Sequence, residues 1–143
     1  MQHNNEVRII MIEDDPGHAG LIRNNLEDVG ITNEIIHYDN GKDALDAILS
    51  NKDNIEDSNI VILLDLNLPG MDGYQILENL RKNEKTKIIP VCILTSTDNE
   101  NEIKKCYELG CNAYVTKPLE YTEFQEAMRK LGILFTLVKI PKL

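Results

Sequence analysis

The sequence predicts an α/β fold, an open doubly wound sheet of five parallel strands with helices on both faces. Strand-like and helix-like stretches alternate five times with no repeat, low-complexity tract or linker between them, the order that a parallel sheet with right-handed crossovers requires. The strand-like stretches near the centre are apolar at nearly every position instead of alternating, the mark of strands covered on both faces. With 143 residues the chain is too short for a closed eight-fold barrel and fits one domain spanning 1–143.

The elements follow in order. Val7 to Ile12 is a strand that runs into Glu13-Asp14-Asp15, and Asp15 before Pro16 is a standard helix start, which leaves Glu13 and Asp14 free for other work. The helix that follows sets Ala19, Ile22, Leu26 and Val29 on one face and stops at Gly30. Asn33 to Tyr38 is a weaker, more polar strand, hence an edge, and Asn40 to Ser50 a helix through Ala44, Leu45, Ile48 and Leu49. A charged loop leads to Ile60–Leu64, a run of uninterrupted apolar residues that drives Asp65 into the turn Asn67-Leu-Pro-Gly. Asp72 suits the cap of a helix from Gly73 to Arg81 with Ile76, Leu77 and Leu80 inward. The fourth strand lies within Ile88 to Leu94, and Asp98 suits the cap of a helix through Ile103, Cys106 and Tyr107 that closes at Gly110. Ala113 to Thr116 is the fifth strand, followed by Lys117-Pro118 and a last helix over 120–131.

Composition narrows the function. Acidic residues number 24 against 15 basic ones, a formal charge of -9, which argues against a surface built for nucleic acid or anionic lipid. The polar N-terminus is unlike a signal peptide and no apolar stretch reaches membrane-spanning length, so a cytoplasmic location is expected. Cys92, Cys106 and Cys111 are odd in number and form no C-x-x-C pair, the pattern of reduced thiols used for packing.

Four strands end in polar residues: Glu13 and Asp14 after the first, Asp65 after the third, Thr95 at the fourth, Lys117 after the fifth. In open α/β sheets ligands bind outside the carboxyl ends of the strands, so these residues are expected in one site. Three carboxylates gathered there would repel one another unless a cation joined them. With no His or Cys at the strand ends, oxygen ligands select Mg2+, or Mn2+ in its place, over zinc. Such a site takes phosphate oxygens, and Lys117 and the Thr95 hydroxyl would grip them. Either Asp65 attacks phosphorus and becomes an aspartyl phosphate, or water does and the protein is a phosphatase. The chain has no P-loop and no G-x-G-x-x-G motif, which favours a binding and transfer module.

These residues resemble the receiver domain of two-component response regulators over Val7 to about Leu131. The resemblance is carried by Glu13-Asp14-Asp15-Pro16, Leu64-Asp65-Leu-Asn67-Leu-Pro69-Gly-Met-Asp-Gly73, Leu94-Thr95-Ser96 and Tyr114-Val-Thr-Lys117-Pro118. It implies a flavodoxin-like fold of strand order 2-1-3-4-5 and phosphorylation of Asp65 from the phosphohistidine of a sensor histidine kinase. Mg2+ would be held by Asp14, Asp65 and the backbone carbonyl of Asn67, with Glu13 acting through a metal-bound water. Thr95 and Lys117 would hold the phosphoryl group and small Ser96 would leave it access. Asn67 and Thr97 would flank it and tune its lifetime. Movement of Thr95 would let Tyr114 rotate and reshape the face made by the fourth helix, fifth strand and fifth helix. The Lys117-Pro118 bond would be cis. The resemblance also implies that the domain is no turnover enzyme and promotes only its own phosphorylation and dephosphorylation.

A narrower likeness, in Glu13-Asp-Asp-Pro-Gly-His18, Cys106-Tyr-Glu-Leu-Gly-Cys111 and the apolar close of the chain, is to short stand-alone regulators paired with phytochrome-type histidine kinases. It implies a chain without an output domain, with the extension 132–143 packing on its own domain or on the partner in a homodimer formed through the fourth helix, fifth strand and fifth helix. Two alternatives share the site: a phosphorelay intermediate that passes the group to a second histidine, and a haloacid-dehalogenase-like phosphatase. The latter wants a second Asp two residues after the nucleophile, where this chain has Asn67. His18, early in the first helix, is read as solvated, and His3 and His37 as less suited still to a functional role.

Overall fold

The computed structural model describes residues 7–28, 30–51, 59–117 and 126. Strands β1 (Val7–Ile12), β2 (Ile35–Tyr38), β3 (Asn59–Leu64), β4 (Val91–Thr95) and β5 (Ala113–Thr116) alternate with helices α1 (Pro16–Asp28), α2 (Gly41–Leu49), α3 (Gly73–Lys82) and α4 (Glu100–Leu109). The sheet order is β2-β1-β3-β4-β5 and every pairing is parallel. All of the predicted last helix but residue 126, together with Pro118, the extension 132–143 and Val29, lies outside the described residues.

The uniform apolarity of the central strands has its cause in two separate cores. Ile10, Ile12, Ile62, Leu64, Val91 and Ile93 face one side, against Ala44, Leu45 and Ile48 of α2, Ile76, Leu77 and Leu80 of α3, and Cys106 of α4. Their neighbours Ile9, Met11, Val61, Leu63, Cys92 and Leu94 face the other, against Ala19, Ile22 and Leu26 of α1. Successive strand residues point to opposite faces, so a strand with helices on both sides has no position left for a polar residue until it leaves the sheet. β2 pairs on one side only and is the edge its composition predicts, although it begins at Ile35, two residues later than the sequence reading. Asn33, placed in that strand by its sequence, instead donates from its side chain to the Val7 carbonyl at 2.6 Å.

Helix starts follow side-chain chemistry. Asp15 Oδ1 accepts from the backbone N–H groups of Gly17 at 2.8 Å and His18 at 3.1 Å, and these bonds, that from His18 foremost, hold its carboxyl below the usual range. Asp72 and Gln75 form a reciprocal capping box at the start of α3. At α4 the cap is Asn99, whose side chain accepts from Asn101 N–H at 2.9 Å and Glu102 N–H at 3.3 Å, and not the predicted Asp98. Both residues are good caps by type, and only the path of the loop leaving β4 decides between them. α4 is also shallower than its periodicity suggests: Cys106 is buried, while Tyr107 is half exposed. Its C-terminus ends on Gly110 with φ 105°, and Arg81 of α3 grips the Gly110 carbonyl through Nε at 3.0 Å and Nη2 at 2.8 Å.

One glycine matters for the site. A Cβ on Gly73 would lie 2.6 Å from the Asp65 carbonyl oxygen and 2.7 Å from Leu66 Cα, so the start of α3 can press against the strand exit only without a side chain. Gly73→Ala is therefore expected to cost about 1–3 kcal/mol of stability through backbone displacement. Urea denaturation would read this as a lowered midpoint.

Candidate functional site

The carboxyl ends of β1 and β3 lie side by side because Ile12 pairs with Leu64, which brings the next residues, Glu13 and Asp65, together. The Asp65 N–H donates to the Ile12 carbonyl at 3.1 Å and extends that register by one residue. On the far side Thr95 pairs with Thr116, and Lys117 N–H donates to the Thr95 carbonyl at 2.6 Å, so Lys117 leaves the sheet at the same level. This is the switch point of the doubly wound sheet, where the connection from β1 turns one way and β3 lies on the other side.

Carboxylate oxygens of Glu13, Asp14 and Asp65 lie within 4.8 Å of one another. Asp14 is exposed, whereas Glu13, Asp65, Thr95 and Lys117 are all buried. Lys117 Nζ makes an ion pair with Glu13 Oε1 and lies 3.3 Å from Asp65 Oδ2. Burial pushes the Glu13 carboxyl up from its ordinary value and the nearby Asp65 charge adds to this, while the hydrogen bonds from Lys117 and the Asp15 N–H pull it back. Three carboxylates and one ammonium leave two uncompensated negative charges, the charge of one divalent cation. The donors are all oxygen, so the cluster fits a hard ion of the Mg2+ class.

Asn67 and Thr95 close the pocket. Asn67 N–H donates to Asp65 Oδ1 at 3.1 Å, and its side chain amide donates to Thr95 Oγ1 at 3.4 Å. Ser96 is exposed at the rim. Thr97 points elsewhere: its hydroxyl bonds Glu102 of α4 and its carbonyl accepts from Tyr114 Oη at 2.7 Å. Tyr114, half-buried, thereby ties β5 to the loop that leaves β4, and burial raises its phenol well above the usual range. Beside it Tyr74 Oη is buried without a hydrogen-bond partner among the described residues. Burial, aided by the Glu102 charge, pushes that phenol up to about 12. Lys105 Nζ sits 4.2 Å from the Tyr74 ring centroid.

Two histidines make contacts that the sequence reading does not foresee. His18 is about half exposed, yet its Nδ1 lies 3.1 Å from Lys117 Nζ. His37, on the edge strand, bonds the Glu13 backbone carbonyl through Nε2 at 2.7 Å and so steadies the acidic loop. Neither contact has a local sequence signal, since the partners lie 99 and 24 residues away along the chain. The other nominated side chains, Glu13, Asp14, Asp65, Asn67, Thr95 and Lys117, do converge.

Residues 9–129 match the response regulator receiver domain family. The chain belongs to that family. Among receivers of known structure it is similar to one from Rhodospirillum rubrum, 43% identical with a TM-score of 0.77, covering 94% of this chain and 97% of that one. The response regulator Rcp1 of Synechocystis sp. is 37% identical over 111 residues, 76% of this chain and 75% of Rcp1. Rcp1 has a solved Mn(2+)-bound form with a TM-score of 0.71, 31% identical, covering 95% of this chain and 98% of that one. The bacteriophytochrome response regulator AtBRR is 33% identical with a TM-score of 0.73, covering 92% of this chain and 96% of that one. The receiver fold and strand order predicted from sequence are thus those observed, and phytochrome-associated regulators are among the relatives. Among the described residues no helix is long and apolar enough to cross a membrane.

The charge arrangement of this receiver makes Lys117 the counter-ion of two buried acids. Lys117→Met is expected to lower stability in Mg2+-free buffer by about 3 kcal/mol, because it leaves those acids unpaired. Added Mg2+, or Glu13→Gln as a second change, should recover much of the loss. An unchanged urea midpoint would contradict this pairing.

Proposed function

We propose that this receiver accepts a phosphoryl group on Asp65 from the phosphohistidine of a sensor histidine kinase, and that the acceptance requires Mg2+. The observation that carries the proposal is the placement of buried Asp65 between Lys117 and a cluster of carboxylates with a residual charge suited to a divalent ion. A lone buried carboxylate would be a poor site for a phosphoryl group carrying negative oxygens. Asp14, Asp65 and the Asn67 carbonyl would hold the ion, and Glu13, already engaged by Lys117, would act through water. Mg2+ would supply charge neutralisation for the transfer. The Mn(2+)-bound form of Rcp1 supports Mn2+ as a substitute.

Asp65 does the chemistry. One carboxylate oxygen forms a bond to phosphorus as the phosphorus–nitrogen bond of the donor histidine breaks, and the released imidazole takes a proton from solvent. Asp65 Oδ1 is held by the Asn67 N–H, while Oδ2 faces Lys117, so the two oxygens are distinguished before the donor arrives. Lys117 and Thr95 then receive the phosphoryl oxygens. Asn67 has no acid or base function where a phosphatase of similar sheet order needs one, which supports a signalling module over a turnover enzyme.

The output would be a change of protein-binding surface. Thr95, when drawn to the phosphoryl group, moves the segment that Tyr114 holds through the Thr97 carbonyl and that Glu102 holds through the Thr97 hydroxyl. α4, with Tyr107 half exposed, is the surface that responds. The likeness to AtBRR, a bacteriophytochrome response regulator, supports a phytochrome-type kinase as the partner.

Incubation with a labelled acyl-phosphate donor and Mg2+ tests this directly. Stoichiometric labelling is expected, with loss of the label in Asp65→Asn and on chelation of the metal. Continuous release of phosphate at enzyme-like rates would favour the phosphatase. Phosphotransfer profiling against purified histidine kinases identifies the partner, with a phytochrome-type kinase expected to label the protein fastest.

A further inference from the structure

The Lys117 ammonium has three N–H donors and is met by three acceptors: Glu13 Oε1, Asp65 Oδ2 at 3.3 Å and His18 Nδ1 at 3.1 Å. Two are buried carboxylates. The third is a half-exposed imidazole reaching in from the first turn of α1. We infer that His18 is a positioning residue for Lys117, whose neutral imidazole aims the ammonium at the Asp65 oxygen that faces it. The inference rests on the reading of Asp65 as phosphoacceptor.

The geometry gives the reason. A lysine ammonium is a compact point charge on a flexible stem, free to rotate among acceptors. Two buried carboxylates from adjacent strands, Glu13 and Asp65, both draw it. With those two partners alone a third donor would be unoccupied and the ammonium free to turn about its stem. A third acceptor on α1 limits that rotation and keeps all three donors occupied.

The chemistry of the third acceptor also matters. A carboxylate there would add another negative charge to a cluster that already carries an excess of two, and a cation would repel Lys117. A neutral imidazole accepts without either cost. Nδ1 faces two groups, Lys117 Nζ at 3.1 Å and Asp15 Oδ2 at 3.9 Å; because the nearer one, Lys117, can only donate, Nδ1 carries no hydrogen and the ring proton is on Nε2. The ring is presented by a fixed start of helix, since the His18 N–H is itself bonded to Asp15 Oδ1 at 3.1 Å. About half of the side chain is exposed, so its replacement removes little packing and the fold tolerates the test.

The experiment compares wild type with His18→Leu, His18→Asn and His18→Gln, each labelled with acetyl phosphate at fixed Mg2+. Asn places an acceptor near the position of Nδ1, Gln places one near Nε2, and Leu has none. His18→Leu is expected to label about three- to tenfold more slowly, the effect of one partly exposed hydrogen bond to a charged group. His18→Asn should return to within about twofold of wild type while His18→Gln stays slow. Mg2+ affinity by calorimetry and the urea midpoint should be alike in all four proteins. Nitrogen-15 spectra of wild type should show the Nε2–H tautomer of His18. The role is overturned if Leu labels as fast as wild type, if Asn fails to rescue, if rates simply follow stability, or if the Nδ1–H tautomer is found. Absence of Asp65-dependent label in wild type would overturn the phosphoacceptor reading and this role with it, an outcome distinct from the others.

Discussion

The site of this receiver depends on the pairing of Lys117 with two buried carboxylates. Glu13 and Asp65 leave adjacent strands side by side and would repel each other in the low-dielectric floor of the pocket. The ammonium offsets part of that repulsion, and what remains, with exposed Asp14, is the charge of a divalent ion. The arrangement is held short of neutrality by the protein alone. A cluster neutral by itself would have no reason to recruit a cation, and one with a larger excess would oppose its own folding.

That electrostatic balance is a product of the sheet. Burial on both faces obliges the strands to be apolar throughout, so polar side chains are expelled to the strand ends. Parallel pairing then aligns those ends on one edge, with Ile12 beside Leu64 and Thr95 beside Thr116 setting the level. The turn after β3 closes tightly because Gly73 lets α3 approach the Asp65 carbonyl, which keeps the Asn67 N–H on Asp65 Oδ1. Packing, register and turn geometry thus meet at one carboxylate.

A second set of contacts links this pocket to the outer surface. Thr95 is bonded by the Asn67 amide, and two residues on Thr97 is held both by Tyr114 and by Glu102 of α4. Burial, with Glu102 adding to it, raises the Tyr74 phenol, beside which Lys105 packs on the ring. A shift of the Thr95 segment therefore cannot leave α4 untouched, since the loop between them is tied at both its carbonyl and its side chain. Fewer buried residues anchor α4 than α3, which makes it the easier of the two to move.

Much of this was legible in the chain itself. Uninterrupted apolar runs that end in acids disclosed buried parallel strands and the edge where the site lies, and Asp15, Asp72 and Gly110 marked helix boundaries through local bonding that needs no tertiary partner. Where two adjacent residues were equally competent, as Asp98 and Asn99 are, local chemistry could not choose. The presence of Glu13, Asp14, Asp65, Thr95 and Lys117 at strand ends was likewise written in the sequence, because the expulsion of polar groups from a two-faced strand is a local rule. Their partners were not. That Lys117 pairs with Glu13 as well as Asp65, that half-exposed His18 reaches that lysine, that His37 steadies the Glu13 carbonyl, and that Thr97 faces α4 are facts of three-dimensional proximity. Residues far apart in the chain carry no mutual signal until register and helix packing bring their side chains within a hydrogen bond of one another.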